Sequence, residues 1–305
     1  MRWNSVLEEK LLFFKDKLEK QYGKELTEKI YQGYNNRKTT FRVNTLKSNC
    51  TEIESILIKN GLEFEKVEYL DNAYILKNEN KKELEKLKIY DEGKIYIQSL
   101  SSMLPPIILN PKENEDILDM AAAPGGKTTQ IAALVKNKAN ITACEINSIR
   151  VEKLRYNVEK QGANSVYVMV KDARQLDDFL KFDKILLDAP CSGSGTLNFS
   201  DSKVEKYFTP KLIEKSKKMQ ISLLNKAVKL IKSGQEIVYS TCSVLEEENE
   251  EIINVFLKNK TLKIVPIEIK GIDELPLLPT KIDGTIGILP NKIFEGFFVA
   301  KLQKI

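Results

Sequence analysis

Histidine is absent from the 305 residues. The chain therefore has no imidazole base, no His metal ligand and no Ser-His-Asp triad, and proton chemistry falls to Asp, Glu, Lys, Tyr or Cys. Cysteine is scarce. Cys50, Cys144, Cys191 and Cys242 contain no C-x-x-C pair, which gives no support for a zinc site and is too sparse for a disulfide framework. Long apolar runs are lacking too. The longest uncharged stretch, residues 95–111, carries Pro105, Pro106 and Pro111 and falls short of a membrane span. Met1-Arg2-Trp3-Asn4 runs into Glu8-Glu9-Lys10 without the apolar core and cleavage site of a secretory signal. The expectation is a soluble, cytoplasmic, monomeric protein with isolated thiols, no metal and no membrane partner.

What is present is an ordinary globular composition, 42% hydrophobic and 30% charged, too rich in periodic segments for disorder and long enough for two domains. The net charge of +5 is unevenly spread: residues 1–50 hold 11 Lys and Arg against 6 Asp and Glu, and residues 203–232 hold 9 Lys against 2 Glu. A Lys-rich helix is ordinarily a solvated face. Two basic segments flanking a catalytic domain also suit a polyanion, by neutralising phosphates. Charge alone leaves both readings open.

Val6, Leu7, Leu11, Phe14, Leu18 and Tyr22 recur at helical spacing and predict an amphipathic helix. Residues 39–45 alternate with period two and predict a strand. Thr51-Glu52-Ile53-Glu54 reads as a capping box opening a helix that Gly61 stops, and residues 73–76 and 94–97 read as further strands. Residues 1–95 are thus expected to form a small accessory α+β binding domain, and residues 96–305 a second domain. In the second part strands at 117–120, 141–145, 166–170, 184–188 and 236–240 alternate with helices, the last of them Lys-rich. That alternation predicts an α/β fold built on a doubly wound, mostly parallel, Rossmann-like sheet.

In such a sheet ligands sit beyond the carboxyl ends of the strands, near the point where strand order reverses. Asp119, Glu145, Asp172 and Asp188 stand at four such ends. Asp119 is followed by Ala121-Ala122-Ala123-Pro124-Gly125-Gly126-Lys127-Thr128, small residues and two glycines that let a ligand approach the backbone and the helix N–H groups. Glu145 lies 20 residues after Gly125, where an acidic side chain ordinarily accepts from ribose hydroxyls. Gly126-Lys127-Thr128 imitates the end of a phosphate-binding loop, but the first glycine of that motif falls on Ala121, and the dinucleotide fingerprint is absent. A ladder of carboxylates is a poor host for a triphosphate. It suits a nucleoside with hydroxyls, an exocyclic amine and a sulfonium, which points to S-adenosylmethionine; any one of these acids alone would be read as a helix cap.

Two further loops carry thiols, Asp188-Ala189-Pro190-Cys191-Ser192-Gly193-Ser194-Gly195-Thr196 and Tyr239-Ser240-Thr241-Cys242-Ser243. Cys50 and Cys144 read as small hydrophobes, whereas Cys191 and Cys242 sit in polar loops just beyond strand ends. A helix opening at Glu246 would favour a thiolate at Cys242, while the acidic run Glu246-Glu247-Glu248 opposes it.

Taken together, residues 119–128, 188–193 and 240–243 resemble the Nol/Nop/Sun family of RNA cytosine-5 methyltransferases. Arg42-Val43-Asn44-Thr45-Leu46, Gln98-Ser99-Leu100-Ser101-Ser102-Met103 and Glu295-Gly296-Phe297-Phe298-Val299-Ala300 support the resemblance, which runs from residue 39 to the C-terminus. It departs at Pro290-Asn291, where many relatives have Pro-His. The resemblance implies a Rossmann-like class I methyltransferase fold, S-adenosylmethionine as cofactor and RNA as substrate. It also implies RNA as the ligand of residues 1–95 and methyl transfer as the activity of residues 96–305. The RNA is expected to be tRNA, because the chain is compact and leaves no room for an added C-terminal domain; rRNA is the alternative. Cys242 is implied to be the nucleophile that adds to C6 of cytosine, Cys191 to serve release, and Asp188 to hydrogen-bond the base. For the cofactor, Glu145 would bind the ribose, Asp172 the adenine amine, and Ala121, Ala122, Ala123, Pro124, Gly125, Gly126 and Lys127 the methionine end, with Asp188 bordering it and Arg150 supporting this shell. The target base must be unpaired or flipped. Two rivals fit less well. A non-catalytic RNA-binding factor would have lost a thiol or the Gly-Gly loop, and amino-directed methylation ordinarily has Asp/Asn-Pro-Pro-aromatic where Asp188-Ala189-Pro190-Cys191 stands.

Overall fold

The computed structural model describes residues 11–34, 37–77, 81–199, 201 and 203–305; Val6 and Leu7 of the expected first helix lie outside them. Leu12–Gln32 is helical on both sides of a break at Gly23, whose φ of 78° is left-handed and open to glycine at no steric cost. Phe14, Leu18 and Ile30 of this helix bury against Val204, Phe208, Ile213, Val244 and Leu245. The helix therefore packs on the C-terminal half, not on the small sheet that follows it in sequence.

That sheet consists of β1 (Thr40–Val43), β2 (Phe64–Lys66), β3 (Ala73–Leu76) and β4 (Ile95–Ile97), antiparallel throughout in the order β2-β3-β1-β4. The helix Cys50–Lys59 covers it, burying Ile53 and Leu57 against Phe41, Val43 and Tyr74. Its cap is not Thr51. Asn49 accepts from the Glu52 N–H at 3.0 Å, two residues earlier than the sequence reading, because an Asn preceding the first turn competes well for that role. The Glu52 carboxylate then turns to the Ser48 hydroxyl and to Lys94. β4 closes this sheet, so a division between residues 95 and 96 runs through a strand, and the hydrogen-bonded unit extends to Ile97.

The helix Leu100–Leu109 comes next, capped by Ser99 and carrying Pro105 and Pro106 inside it. Pro106 offers no N–H to the Ser102 carbonyl; the Gln98 side-chain amide donates there instead, at 3.0 Å. Leu100, Met103, Leu104 and Ile108 join one core with Leu70 and Ile75 from the small unit and Ile117, Leu186 and Val238 from the large sheet.

The large sheet has nine strands: β5 (Asp116–Asp119), β6 (Asn140–Glu145), β7 (Val166–Val170), β8 (Phe182–Asp188), β9 (Ile231–Thr241), β10 (Leu262–Ile264), β11 (Leu277–Leu278), β12 (Ile286–Ile288) and β13 (Phe297–Lys304). Its order is β11-β12-β13-β9-β8-β5-β6-β7, with β10 also on β13. Strands β5 to β9 are parallel and the last four antiparallel. Side chains alternate across each strand, so Leu186 faces one core while Ile185 and Leu187 face the other, with Ile237, Tyr239 and Phe298. Burial on both faces explains the continuous apolar runs of these strands. Strand order reverses between β5 and β8, with β6 and β7 on one side and β9 on the other. Among the described residues no helix is long and apolar enough to cross a membrane.

Candidate active site

Beyond the carboxyl ends of β5 and β8 lies a cleft of about 250 Å³, bounded by Tyr96, Ser102, the loop after β5, Asp188 and Glu295. A larger cavity, about 440 Å³, opens between residues 69–72 and 267–270 and holds none of the strand-end carboxylates. The chemistry belongs to the smaller one. Asp119 ends β5 fully buried; its Oδ2 accepts from the Thr128 hydroxyl at 2.7 Å, and its Oδ1 is buried with no hydrogen-bond partner. Burial above all, with the charge of Asp188, lifts its carboxyl from 3.8 to about 6, although Thr128 and Lys127 work against the rise. Gly125, at φ 107°, precedes the helix Gly126–Leu134. A Cβ on Gly126 would stand 3.1 Å from the Tyr96 ring, so this wall of the cleft stays bare backbone.

Glu145 ends β6 and is 4% exposed. It accepts from the Asn147 N–H at 2.9 Å and pairs with Arg150 at 3.2 Å, and Arg150 donates onward to the Ala123 carbonyl at 2.6 Å. Arg150 thereby ties the acid to the loop. Asp172, after β7, has both oxygens engaged by Arg174, at 2.6 to 3.0 Å, and that hydrogen-bonded cation holds its carboxyl below the usual range. Ala121, Ala122, Ala123, Pro124, Gly126, Lys127 and Asp188 line the cleft; Gly125, Glu145, Arg150 and Asp172 stand outside its lining.

Lys127 reaches the second half of the site. Its Nζ is 2.8 Å from Asp188 Oδ2 and 2.7 Å from the Ser102 hydroxyl. Burial opposes its charge, yet Asp188, helped by Cys242 and Asp119, holds it above the ordinary lysine value. Asp188 Oδ1 accepts from the Ser240 hydroxyl at 2.8 Å. The sulfurs of Cys191 and Cys242 are 3.1 Å apart. The bond to Cys242, then burial, pushes the Cys191 thiol well above its usual range, and either sulfur can be the S–H donor of the pair. Cys144, by contrast, is buried on β6 and its thiol pushed up to about 12, mainly by burial, and Cys50 meets Asn72 and Tyr74; neither belongs to the site.

Glycines bring the two thiol loops together. The Gly195 N–H donates to the Cys242 carbonyl and the Gly296 N–H to the Gly195 carbonyl, both at 2.9 Å, and a Cβ on Gly195 would lie 2.0 Å from the Gly296 oxygen. The Glu295-Gly296-Phe297 motif is thus a backbone seat for the Cys191 loop. No helix opens at Glu246. Glu246–Glu248 is a 3-10 turn and the helix begins at Glu250. Nor do the three acids act as one charge: Glu246 pairs with Lys281 at 2.5 Å, Glu247 with Lys17 at 2.6 Å, and Glu248 turns inward. Sequence reasoning missed Ser102, Ser240 and Glu248. Ser102 and Ser240 lie in segments it singled out without giving either a role, and the acidic run could not say which glutamate faced in.

The basic surplus of residues 203–232 is largely balanced across the fold. Lys217 pairs with Glu251, Lys218 with Glu214, Lys226 and Lys229 with Asp178, and Lys232 with Asp183 and Asp116. Lys203, Lys206, Lys211 and Lys215 remain exposed and unpaired among the described residues, with Tyr207 exposed between them. No group of His, Cys, Asp or Glu among the described residues could hold a metal ion.

The family model described as "16S rRNA methyltransferase RsmB/F" matches residues 106–303. The chain belongs to this methyltransferase family. It is 36% identical over 276 residues to ribosomal RNA small subunit methyltransferase F of Shewanella loihica, covering 87% of this chain and 56% of that protein. It is 38% identical over 232 residues to the tRNA (cytosine(72)-C(5))-methyltransferase of Pyrococcus horikoshii, covering 73% and 55%. The chain thus spans little more than half the length of these two curated relatives. The crystal structure of NSun6 from Pyrococcus horikoshii with SFG, an S-adenosylmethionine analogue, superposes with a TM-score of 0.83 at 27% identity, covering 95% of this chain and 97% of that one. The fold of this RsmB/F member is accordingly that of a class I methyltransferase, the S-adenosylmethionine-dependent kind, and the Nol/Nop/Sun resemblance holds.

Proposed function

We propose that this chain is an RNA cytosine-5 methyltransferase that works through a covalent Cys242–C6 adduct. The observation that carries the reading is the thiol pair 3.1 Å apart, beside an ion pair of Lys127 and Asp188 that borders the cofactor cleft. C5 of cytosine is a weak nucleophile, and thiolate addition at C6 makes it enamine-like. The Nol/Nop/Sun resemblance assigns the attack to Cys242, and the Lys127 ammonium, which already interacts with that side chain, would stabilise its anion. Asp188 accepts from the cytosine N4 amine. Cys191, against the sulfur that must depart, serves the elimination that follows loss of the C5 proton.

When bound, S-adenosylmethionine supplies the methyl group. The residues fit it: the unpartnered Oδ1 of Asp119 suits an α-ammonium, and the bare backbone at Gly126 suits close approach of the methionine end. At about 250 Å³ the cleft is below the roughly 300 Å³ of an ordinary small-ligand pocket. Outside that lining, Glu145, held by Arg150, would meet the ribose, and Asp172 would meet the adenine amine on exchanging one of its bonds to Arg174. RNA is the substrate class, with Lys203, Lys206, Lys211 and Lys215 beside Tyr207 as backbone contacts and residues 39–97 as the accessory unit.

The test is a denaturing gel with labelled RNA and S-adenosylmethionine. Cys242→Ala should neither methylate nor form an adduct; Cys191→Ala should leave a slow, protein-linked band. The reverse pattern would swap the roles, and normal methylation by both variants would refute the thiol mechanism. Bisulfite sequencing of tRNA and rRNA after incubation identifies the substrate.

A further inference from the structure

Glu248 belongs to neither thiol loop, yet it is fully buried and holds both. Its Oε1 accepts from the Ser192 N–H at 2.7 Å and the Gln220 amide at 3.4 Å; its Oε2 accepts from the Ser192 and Ser243 hydroxyls, each at 2.6 Å. Ser192 follows Cys191 and Ser243 follows Cys242. Asn249 grips the same loop on both flanks of Cys242, accepting from the Thr241 hydroxyl at 2.5 Å and donating to the Ser243 carbonyl at 3.0 Å. The Tyr239 hydroxyl, at the end of β9, donates to the Glu248 carbonyl at 2.6 Å and fixes the turn itself. We infer that Glu248 is the positioning residue that sets the distance between the two sulfurs, and so the handover from adduct formation to release.

The two oxygens are chemically distinct. Groups that can only donate meet Oε1, whereas both partners of Oε2 are hydroxyls, which rotate to donate or accept. A glutamine with its oxygen at the Oε1 position keeps all four contacts, with the Ser192 and Ser243 hydroxyls, which already accept from the Ser194 and Leu245 N–H groups, turning their protons away from it. An aspartate keeps the charge but is one methylene too short to span both loops. Reach, not charge, is therefore what the site requires. The inference rests on the thiol roles proposed above, but sulfur separation can be read without RNA.

Phenylarsine oxide is the probe, since it condenses with two adjacent thiols to a cyclic dithioarsonite and water, and Cys191→Ala supplies the blank. Glu248→Asp should slow capture by about tenfold, the effect of losing one well-made buried hydrogen bond to a charged group, and Glu248→Gln should recover most of it. In RNA methylation Glu248→Asp should raise the ratio of trapped adduct to released product, with S-adenosylhomocysteine affinity unchanged; a merely structural defect would lower both yields together. Should Glu248→Asp not fold, Ser192→Ala reads the same link from the Cys191 side. Capture by Glu248→Asp at the wild-type rate, or Asp outperforming Gln, would overturn the inference. Glu248-dependent capture in a chain that methylates no RNA would support the positioning and refute the methyltransferase reading instead.

Discussion

Asp119 stores a measurable cost in the folded chain. Its carboxyl is buried, bonded at one oxygen and unpartnered at the other, and titrates near 6 instead of 3.8. A raised folded value means that stability from this group is complete below about pH 4 and is lost as pH rises through about 6. The gap between 3.8 and about 6, at about 1.4 kcal/mol per unit, comes to about 3 kcal/mol at neutral pH, of which about 2 kcal/mol falls between pH 4.5 and 7.5. Asp119→Asn removes the titration. Its amide leaves a buried donor unpaired at a pH-independent cost of about 1–3 kcal/mol, so the diagnostic quantity is the slope and not the absolute value. Urea denaturation at a series of pH values should show the variant gaining about 2 kcal/mol on the intact protein between pH 4.5 and 7.5. If an ammonium of the cofactor meets Oδ1, the intact chain should also bind S-adenosylhomocysteine more tightly as pH passes through 6, and Asp119→Asn should lose both that dependence and most of its affinity. A stability difference that does not change with pH would refute the claim that a desolvated carboxylate sits there.

Neutralising Lys203, Lys206, Lys211 and Lys215 together should weaken RNA binding and lower its salt slope by about 0.7 to 0.9 for each phosphate left without its cation, whereas neutralising the paired Lys217, Lys226 and Lys232 should leave the slope alone; equal effects would return the whole helix to a solvated face. Lys127→Met takes the cation from both Asp188 and Cys242, so in a Cys191→Ala background adduct formation should slow by about tenfold or more; an unchanged rate would remove Lys127 from the thiol chemistry. Gly195→Ala drives a methyl into the Gly296 carbonyl and should cost about 1–3 kcal/mol in urea denaturation while lowering arsenical capture by the thiol pair; a silent substitution would mean that the glycine seat is not needed.

The parallel half of the fold was legible because its signal is local. Ile117-Leu118 and Ile185-Leu186-Leu187 are buried on both faces, and a run of that kind between polar turns has few other uses. The antiparallel half was not. β10, β11 and β12 span two or three residues each, too few for alternation to register, and β13 reads Phe297-Phe298-Val299-Ala300-Lys301-Leu302 with no strict period. The placement of Leu12–Gln32 was hidden for a different reason. Its apolar stripe announces that something is buried against it, but what covers Phe14 is Phe208, nearly two hundred residues away, and no local pattern encodes that choice.

The site divides along the same line. Asp119, Gly125, Glu145, Asp188, Cys191 and Cys242 could be marked because residue type and strand-end position suffice to nominate them. What each does depends on its partner, and partners come from other strands. Lys127 was read as a cofactor ligand from its place in the Gly-Gly loop, yet its ammonium meets Asp188, 61 residues on. Asp172 looked like an acceptor awaiting an amine, yet Arg174 already fills both oxygens. Lys217, Lys226, Lys229 and Lys232 looked like part of a basic stripe until Glu251, Asp178 and Asp183, which lie outside residues 203–232, balanced them. In each case a charge counted along the chain was cancelled or redirected by one counted elsewhere. Glu248 is the limiting case. Preceded by two glutamates that pair with Lys281 and Lys17, it differs from them only in where the turn points it, and that direction exists only once β8 and β9 lie side by side.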